Sequence, residues 1–195
     1  MTPGNRDFVR GLQARNPPFV RAVVHDARVT AGYRGERFTF RSRTDALVQV
    51  LRLCWQSDAF AAQVMYRMKA RLQARSVPVL PRLLHVLAMV RAQVVIGDPV
   101  LVEPGVYLVH GQVVIDGLVT IRSGTVISPW VTIGLRAGDV RGPTIVRGVH
   151  IGTGAKIIGP VHIGAHAVIG ANAVVTADVA PRTTVVGAPA RPVVG

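Results

Sequence analysis

From Val94 onward an aliphatic residue returns at every sixth position. The series runs Ile96, Val102, Leu108, Ile115, Ile121, Ile127 and Ile133, breaks, and resumes at Ile145, Ile151, Ile157, Ile163, Ile169 and Val175. One residue of slip separates Leu108 from Ile115. Four places after most members stands a second small or branched residue: Val100, Val106, Val119, Thr125, Val131, Val149, Ala155, Val161, Ala167, Ala173 and Val179. A period of six is neither the helical 3.6 nor the strand period of 2. It predicts a parallel β-helix in which each hexapeptide forms one flat face and three faces close a turn. The repeated aliphatic side chains then point inward and stack on their equivalents in the next turn. Residues 96–180 supply about four and a half such turns. Coils of this type are left-handed, against the usual right-handed crossover. Their ends carry unpaired strand edges and need caps.

Before Val94 the pattern is helical. Leu47, Val48, Val50, Leu51, Leu53 and Cys54 suit a helix starting near Asp45, with Thr44 as its N-cap. A second run goes from about Asp58 through Phe60, Val64, Met65 and Met68 to Leu72, and a third follows Pro81 as far as Val90. Residues 1–43 show little pattern, and Pro17-Pro18 and Gly32 to Gly35 read as irregular connections. The chain therefore divides into a mostly helical region, 1–93, a β-helix, 94–182, and a tail, 183–195. The helices would cover one end of the β-helix.

Composition sharpens this reading. Of 195 residues 49% are hydrophobic and 5% aromatic. An aliphatic residue at every sixth position accounts for the first figure, and a narrow prism with little room for rings accounts for the second. The greasiest stretch, Val77 to Val90, is interrupted by Pro81, Arg82 and His85 and is too short to span a membrane. No apolar segment near the N-terminus suggests a secretory signal, so a cytoplasmic protein is expected. The single cysteine, Cys54, reads as packing. The net charge of +13 is almost all arginine, since only Lys69 and Lys156 are lysines. Such a surplus attracts nucleic acid, anionic lipid or a phosphorylated small molecule. The chain lacks an array of aromatics for stacking bases, which disfavours nucleic acid. No Walker or dinucleotide glycine pattern is present.

Several stretches carry more than the repeat. They are Met65-Tyr66-Arg67-Met68 before it, and Glu103-Pro104-Gly105-Val106-Tyr107-Leu108-Val109-His110-Gly111 at the slip. Val131-Thr132-Ile133-Gly134, a loop, and Gly142-Pro143-Thr144-Ile145 span the break. Ile151 to Gly159 and Val186-Gly187-Ala188-Pro189-Ala190-Arg191 follow. Over roughly residues 45–194 the chain thereby resembles the hexapeptide-repeat acyltransferases, within them the serine O-acetyltransferase-like branch. The resemblance implies transfer of an acetyl group from acetyl-CoA to the hydroxyl of a small acceptor, without a metal. An alcohol needs a base to become nucleophilic and its tetrahedral intermediate needs hydrogen-bond donors. The resemblance assigns the base to His110 and a donor to the backbone near Gly134 or the loop after it. It gives Arg141 the substrate carboxylate. It sets Gly134, Ala155 and Ala173 against the pantetheine arm, and Lys156 and Arg191 against the CoA phosphates. It also implies a homotrimer, with the donor in a groove between neighbouring β-helices and further pairing of trimers left open.

The chain departs from the pattern at three places. The aspartate that orients the base, fifteen residues before it, is replaced by Val95. The aspartate directly before the base, which reads the amino group, is Val109, and a loop histidine is Gly142. Asp98, Glu103 and Asp116 are nearby in sequence as substitutes, or a backbone carbonyl can fix the imidazole tautomer. L-serine is therefore one acceptor class among several, with sugars and secondary metabolites. Two other functions stay open: a non-catalytic hexapeptide scaffold, and a metalloprotein like the γ-class carbonic anhydrases. His150, His162 and His166 would lie on corners or outer faces of the coil instead of converging on a metal. His25 and His85 belong to the helical part and read as structural.

Overall fold

The computed structural model describes residues 10–193. Four helices lie wholly within the described residues, α1 (Phe19–Tyr33), α2 (Arg43–Gln56), α3 (Asp58–Ala74) and α4 (Leu80–Ala92), and precede fifteen short strands. Two points differ from the sequence reading. Helix α1 lies inside the segment read as irregular. Its buried face is built from Ala22, Val23, Asp26, Ala27, Thr30 and Ala31, too small and too polar to register as an apolar stripe. The N-cap of α2 is Ser42 rather than Thr44, its hydroxyl accepting from the Asp45 N–H at 3.0 Å.

The strands are β1 (Val94–Ile96), β2 (Leu101–Val102), β3 (Tyr107–Leu108), β4 (Val113–Ile115), β5 (Leu118–Ile121), β6 (Val126–Ile127), β7 (Thr132–Gly134) and β8 (Arg141–Ile145). There follow β9 (His150–Ile151), β10 (Lys156–Ile158), β11 (His162–Ile163), β12 (Val168–Ile169), β13 (Val174–Val175), β14 (Thr184–Val186) and β15 (Arg191–Pro192). They form three sheets, ordered β1-β4-β7-β10-β13, β2-β5-β8-β11 and β3-β6-β9-β12-β14-β15. All named pairings are parallel except β14 with β15. Every third strand shares a sheet, so the chain winds a three-faced parallel solenoid of about five turns.

Register confirms the stacking. Ile115, Ile133, Ile157 and Val175 align in the first sheet. Val102, Ile121, Ile145 and Ile163 align in the second, and Leu108, Ile127, Ile151, Ile169 and Val185 in the third. All are buried, as are the companion residues from Val100 to Val179. In that column Thr125 satisfies its buried hydroxyl by donating to the Arg122 carbonyl at 2.8 Å. Ile145 sits between Ile121 and Ile163 with no exposure at all. Ile145→Ala is expected to cost about 2–5 kcal/mol, because a stacked column cannot collapse around a cavity; urea unfolding would show it as a lowered midpoint.

The capping of the solenoid follows from the direction of its hydrogen bonds. Each coil donates its N–H groups to the next, as Gly97 does to Ile115 and Glu103 to Ile121, both at 2.8 Å. The carbonyls of the first coil therefore point at the helical region with no strand to receive them. Helix α3 supplies donors. Lys69 Nζ reaches the Ile96 carbonyl at 2.6 Å, Tyr66 Oη the Val100 carbonyl at 2.9 Å, and Gln63 the Val106 carbonyl at 2.9 Å. Arg67 reaches the Val102 carbonyl and, at 2.9 Å, that of Glu103. Its Nε also donates to Asp26 of α1 at 2.9 Å, and both side chains are essentially buried. Asp26 in turn accepts from the Gly105 N–H at 2.7 Å. One helix face thus does the work of a strand, since buried polar groups left unpaired are costly.

Lys69 also pairs with Asp98 at 3.0 Å, and His85 of α4 lies in the field of both. Burial first, and then the Lys69 cation, hold the His85 pKa below its usual value. The unfolded chain therefore binds this proton more readily than the folded one. Stability should be full above the unfolded histidine value, about 6.5, and fall as pH drops below it. Chemical unfolding of wild type and His85→Gln across pH 5–8 would reveal this as a flatter acid limb in the variant.

Candidate active site

The slip in the repeat is a real lengthening of one corner. Val94 pairs with Val113, nineteen residues on, whereas Val114 pairs with Thr132, eighteen on. The extra residue falls between Leu108 and Val113, in the segment Val109-His110-Gly111-Gln112. Gln112 turns the corner in the left-handed region, at φ 61°, and donates its N–H to the Ala92 carbonyl at 2.9 Å. Gly111 passes so close to that carbonyl that a Cβ would lie 1.9 Å from it, so only glycine fits. His110 is pushed outward and is exposed. Its ring makes no hydrogen bond among the described residues. Beside it, Tyr107 stacks on Tyr33 with ring centroids 4.4 Å apart, which fixes the end of α1 to the coil.

His110 opens onto a cleft of about 420 Å³. The walls come from Ser57 and Asp58 at the start of α3, Arg91 and Gln93 at the end of α4, and Val109 and Gln112 on the corner. Arg34 and Gln56 close the rim. Asp58 Oδ1 accepts from Arg91 Nε at 2.9 Å, and Arg91 also donates to the Cys54 carbonyl at 2.9 Å, which ties α4 to the end of α2. Apart from Val109, these wall residues carry no motif in the sequence. They stand at the ends of four helices and on the coil corner, and only the folded chain brings those places together.

The substitutes considered for the missing carboxylate do not reach His110. Asp98 is held by Lys69, whose cation keeps its carboxyl below the usual range against the opposing effect of burial. Glu103 accepts from Arg122 at 2.8 Å and from the Ser123 N–H at 3.0 Å. Asp116 lies against Gly97, at the far end of β4. Val95 is the middle residue of β1. Gly142 is buried, and a Cβ there would come within 2.5 Å of a Val119 methyl, so a histidine could not enter without displacing the second sheet.

The remaining candidates separate onto two edges of the first sheet. The corner that carries Gln112 continues down the solenoid through the left-handed residues Trp130, Gly154 and Asn172. Ala155, Lys156 and Ala173 directly follow those positions, two to three turns below His110, at about 4.8 Å per turn. Lys156 Nζ donates to the carbonyls of Trp130, at 2.8 Å, and Gly154, at 2.9 Å. Ala155 and Ala173 bury their methyl groups in the core. Arg191 joins this edge from below, because the Ala190 N–H donates to the Val174 carbonyl at 2.8 Å. Gly134 and Arg141 flank the loop 135–140 at the opposite edge. Arg141 is clamped there by Asp139 through contacts of 2.9 and 3.1 Å, which hold the Asp139 carboxyl below the usual range. His150, His162 and His166 are all exposed, and among the described residues no group of three or more His, Cys, Asp or Glu could hold a metal ion. Among the described residues no helix is long and apolar enough to cross a membrane.

Comparison with known proteins agrees with this architecture. Residues 142–177 match the family described as bacterial transferase hexapeptide (six repeats). The chain is 35% identical over 142 residues to the serine acetyltransferase of Synechococcus elongatus, which covers 71% of this chain and 57% of that one. It is 37% identical over 131 residues to that of Mycobacterium tuberculosis, covering 66% and 54%. The chain thus spans little more than half the length of these curated relatives. A serine acetyltransferase solved in complex with CoA superposes with a TM-score of 0.74 at 26% identity, covering 96% of this chain and 74% of the other. One solved in complex with cysteine gives 0.76 at 26%, covering 96% and 70%. The lengthened corner, the three-faced coil and these relatives together place the chain among the hexapeptide-repeat proteins, on the serine acetyltransferase-like branch.

Proposed function

We propose that the chain is an acetyl-CoA-dependent O-acetyltransferase acting on a small hydroxylated acceptor, with His110 as general base. The observation that supports this most is the corner itself. The one histidine displaced from the regular coil faces a polar cleft, in a chain related to serine acetyltransferases. His110 takes the proton from the acceptor hydroxyl as its oxygen bonds to the thioester carbon; as the C–S bond breaks, the imidazolium returns that proton to the departing thiolate. The edge running down from His110 suits the donor, with Lys156 and Arg191 near the phosphates and the backbone at Ala155 and Ala173 along the pantetheine arm. Because Gly134 and Arg141 lie on the other edge of the first sheet, they would meet His110 only from a neighbouring copy. A homotrimer with the donor in the groove between solenoids satisfies that requirement.

The test is thiol release from acetyl-CoA with serine, homoserine, sugars and amino sugars as acceptors. Acceptor-dependent release supports the proposal. No release, together with no binding of acetyl-CoA, is what a non-catalytic scaffold would give.

A further inference from the structure

Resting on His110 as the base, we infer that the acceptor is a neutral polyhydroxylated molecule of sugar size, read by Asp58, Gln93 and Gln112, and not an α-amino acid. The wall of the cleft carries the argument. Among the described residues the side chains of Gln93 and Gln112 make no hydrogen bond, and Gln56 uses only its oxygen, accepting from Arg52 at 3.2 Å. Three carboxamides therefore offer free donors or acceptors around one histidine. Each can give to one hydroxyl and accept from the next, which is the pairing a polyol needs.

Asp58 adds a charged acceptor. Its Oδ1 is engaged by Arg91, and its Oδ2 accepts nothing among the described residues. Arg91 is itself anchored on the Cys54 carbonyl, so the exposed carboxylate has a tethered partner on one oxygen and leaves the other facing the cleft. Prepositioned acceptors of this kind select ligands that bring hydroxyl donors.

The same wall disfavours an amino acid. An ammonium group needs a carboxylate whose charge is not already matched. Among the described residues of one copy the only carboxylate lining the cleft is Asp58, and Arg91 matches it. Val109, directly before the base, offers none. A cleft of about 420 Å³ also exceeds what a three-carbon amino acid fills, and lies in the range that holds a larger ligand.

The experiment compares kcat/KM for D-glucose, N-acetyl-D-glucosamine and myo-inositol with L-serine and L-homoserine, by thiol release at saturating acetyl-CoA. It uses wild type, Asp58→Asn and Gln112→Asn. The expected result is at least a tenfold preference for one of the polyols. Both variants should raise its KM about tenfold, the loss expected for a hydrogen bond to ligand, while kcat stays within about twofold. Absence of polyol turnover overturns the inference. If an amino acid is consumed instead, and His110→Ala abolishes that, acetyl transfer stands and only the acceptor class falls. If nothing is consumed, both fall. A preferred polyol whose KM is unchanged in both variants overturns the assignment of its reading residues.

Discussion

Replacing His110 with alanine is expected to lower kcat for acetyl transfer by about 10²–10⁴, the usual contribution of a positioned general base. Apparent affinity for acetyl-CoA should change little, because the candidates for donor binding lie further down the edge. Stability should also hold. The imidazole is exposed and makes no hydrogen bond among the described residues, so its removal leaves no orphaned partner. A thermal melt within a degree or two of wild type, alongside the lost turnover, would separate a chemical role from a structural one. His110→Asn should be as inactive as His110→Ala, since an amide cannot take up the proton. The absence of a carboxylate against the ring bears on the size of the effect. Without a fixed tautomer the wild-type base is less efficient, which places the loss nearer the lower end of the range.

Arg67→Ala is expected to destabilise the chain by about 3–5 kcal/mol. The guanidinium holds together three things at once: Asp26 on α1 and the carbonyls of Val102 and Glu103 on the first coil. Removing it leaves a buried carboxylate and two backbone acceptors unmatched. Burial already pushes the Asp26 carboxyl up, and Arg67 is the main opposing influence. Without Arg67 the folded value rises further above that of the unfolded chain. The contribution of Asp26 is then present below the unfolded value, about 3.9, and lost as pH rises through the folded one. The variant's deficit should therefore widen from acid to neutral pH in urea titrations. A double variant with Asp26→Ala should lose less than the sum of the two single changes, because the pair fails as a unit.

The solenoid was the most legible part of the molecule. Its period is set by geometry alone, each inward position demanding an aliphatic side chain, so Ile96 through Val175 announced both the fold and the face they line. The one-residue slip near His110 was legible for the same reason, since a break in a strict repeat must be accommodated somewhere. Helix α1 was not, because alanines and a buried Asp26 form its packed face, and that aspartate is stable only through Arg67, forty-one residues away. The cap was hidden likewise: nothing in Gln63, Tyr66 and Lys69 says that they replace a strand until the carbonyls of the first coil are seen to point at them. The site divides the same way. His110, Gly134 and Arg141 came from motifs, but their separation onto two edges of one sheet did not. Asp58, Gln93 and Gln112 carried no motif, since their meeting depends on where α3 starts, where α4 ends and how the lengthened corner turns.

The central claim is acetyl transfer at the lengthened corner, and the most direct measurement is a balance of products. Wild type and His110→Ala are incubated with acetyl-CoA and the preferred acceptor, and free CoA and O-acetylated acceptor are quantified together. The predicted result is equal amounts of the two products from wild type, none without acceptor, and neither above background from His110→Ala. Equal product formation by wild type and His110→Ala would contradict it.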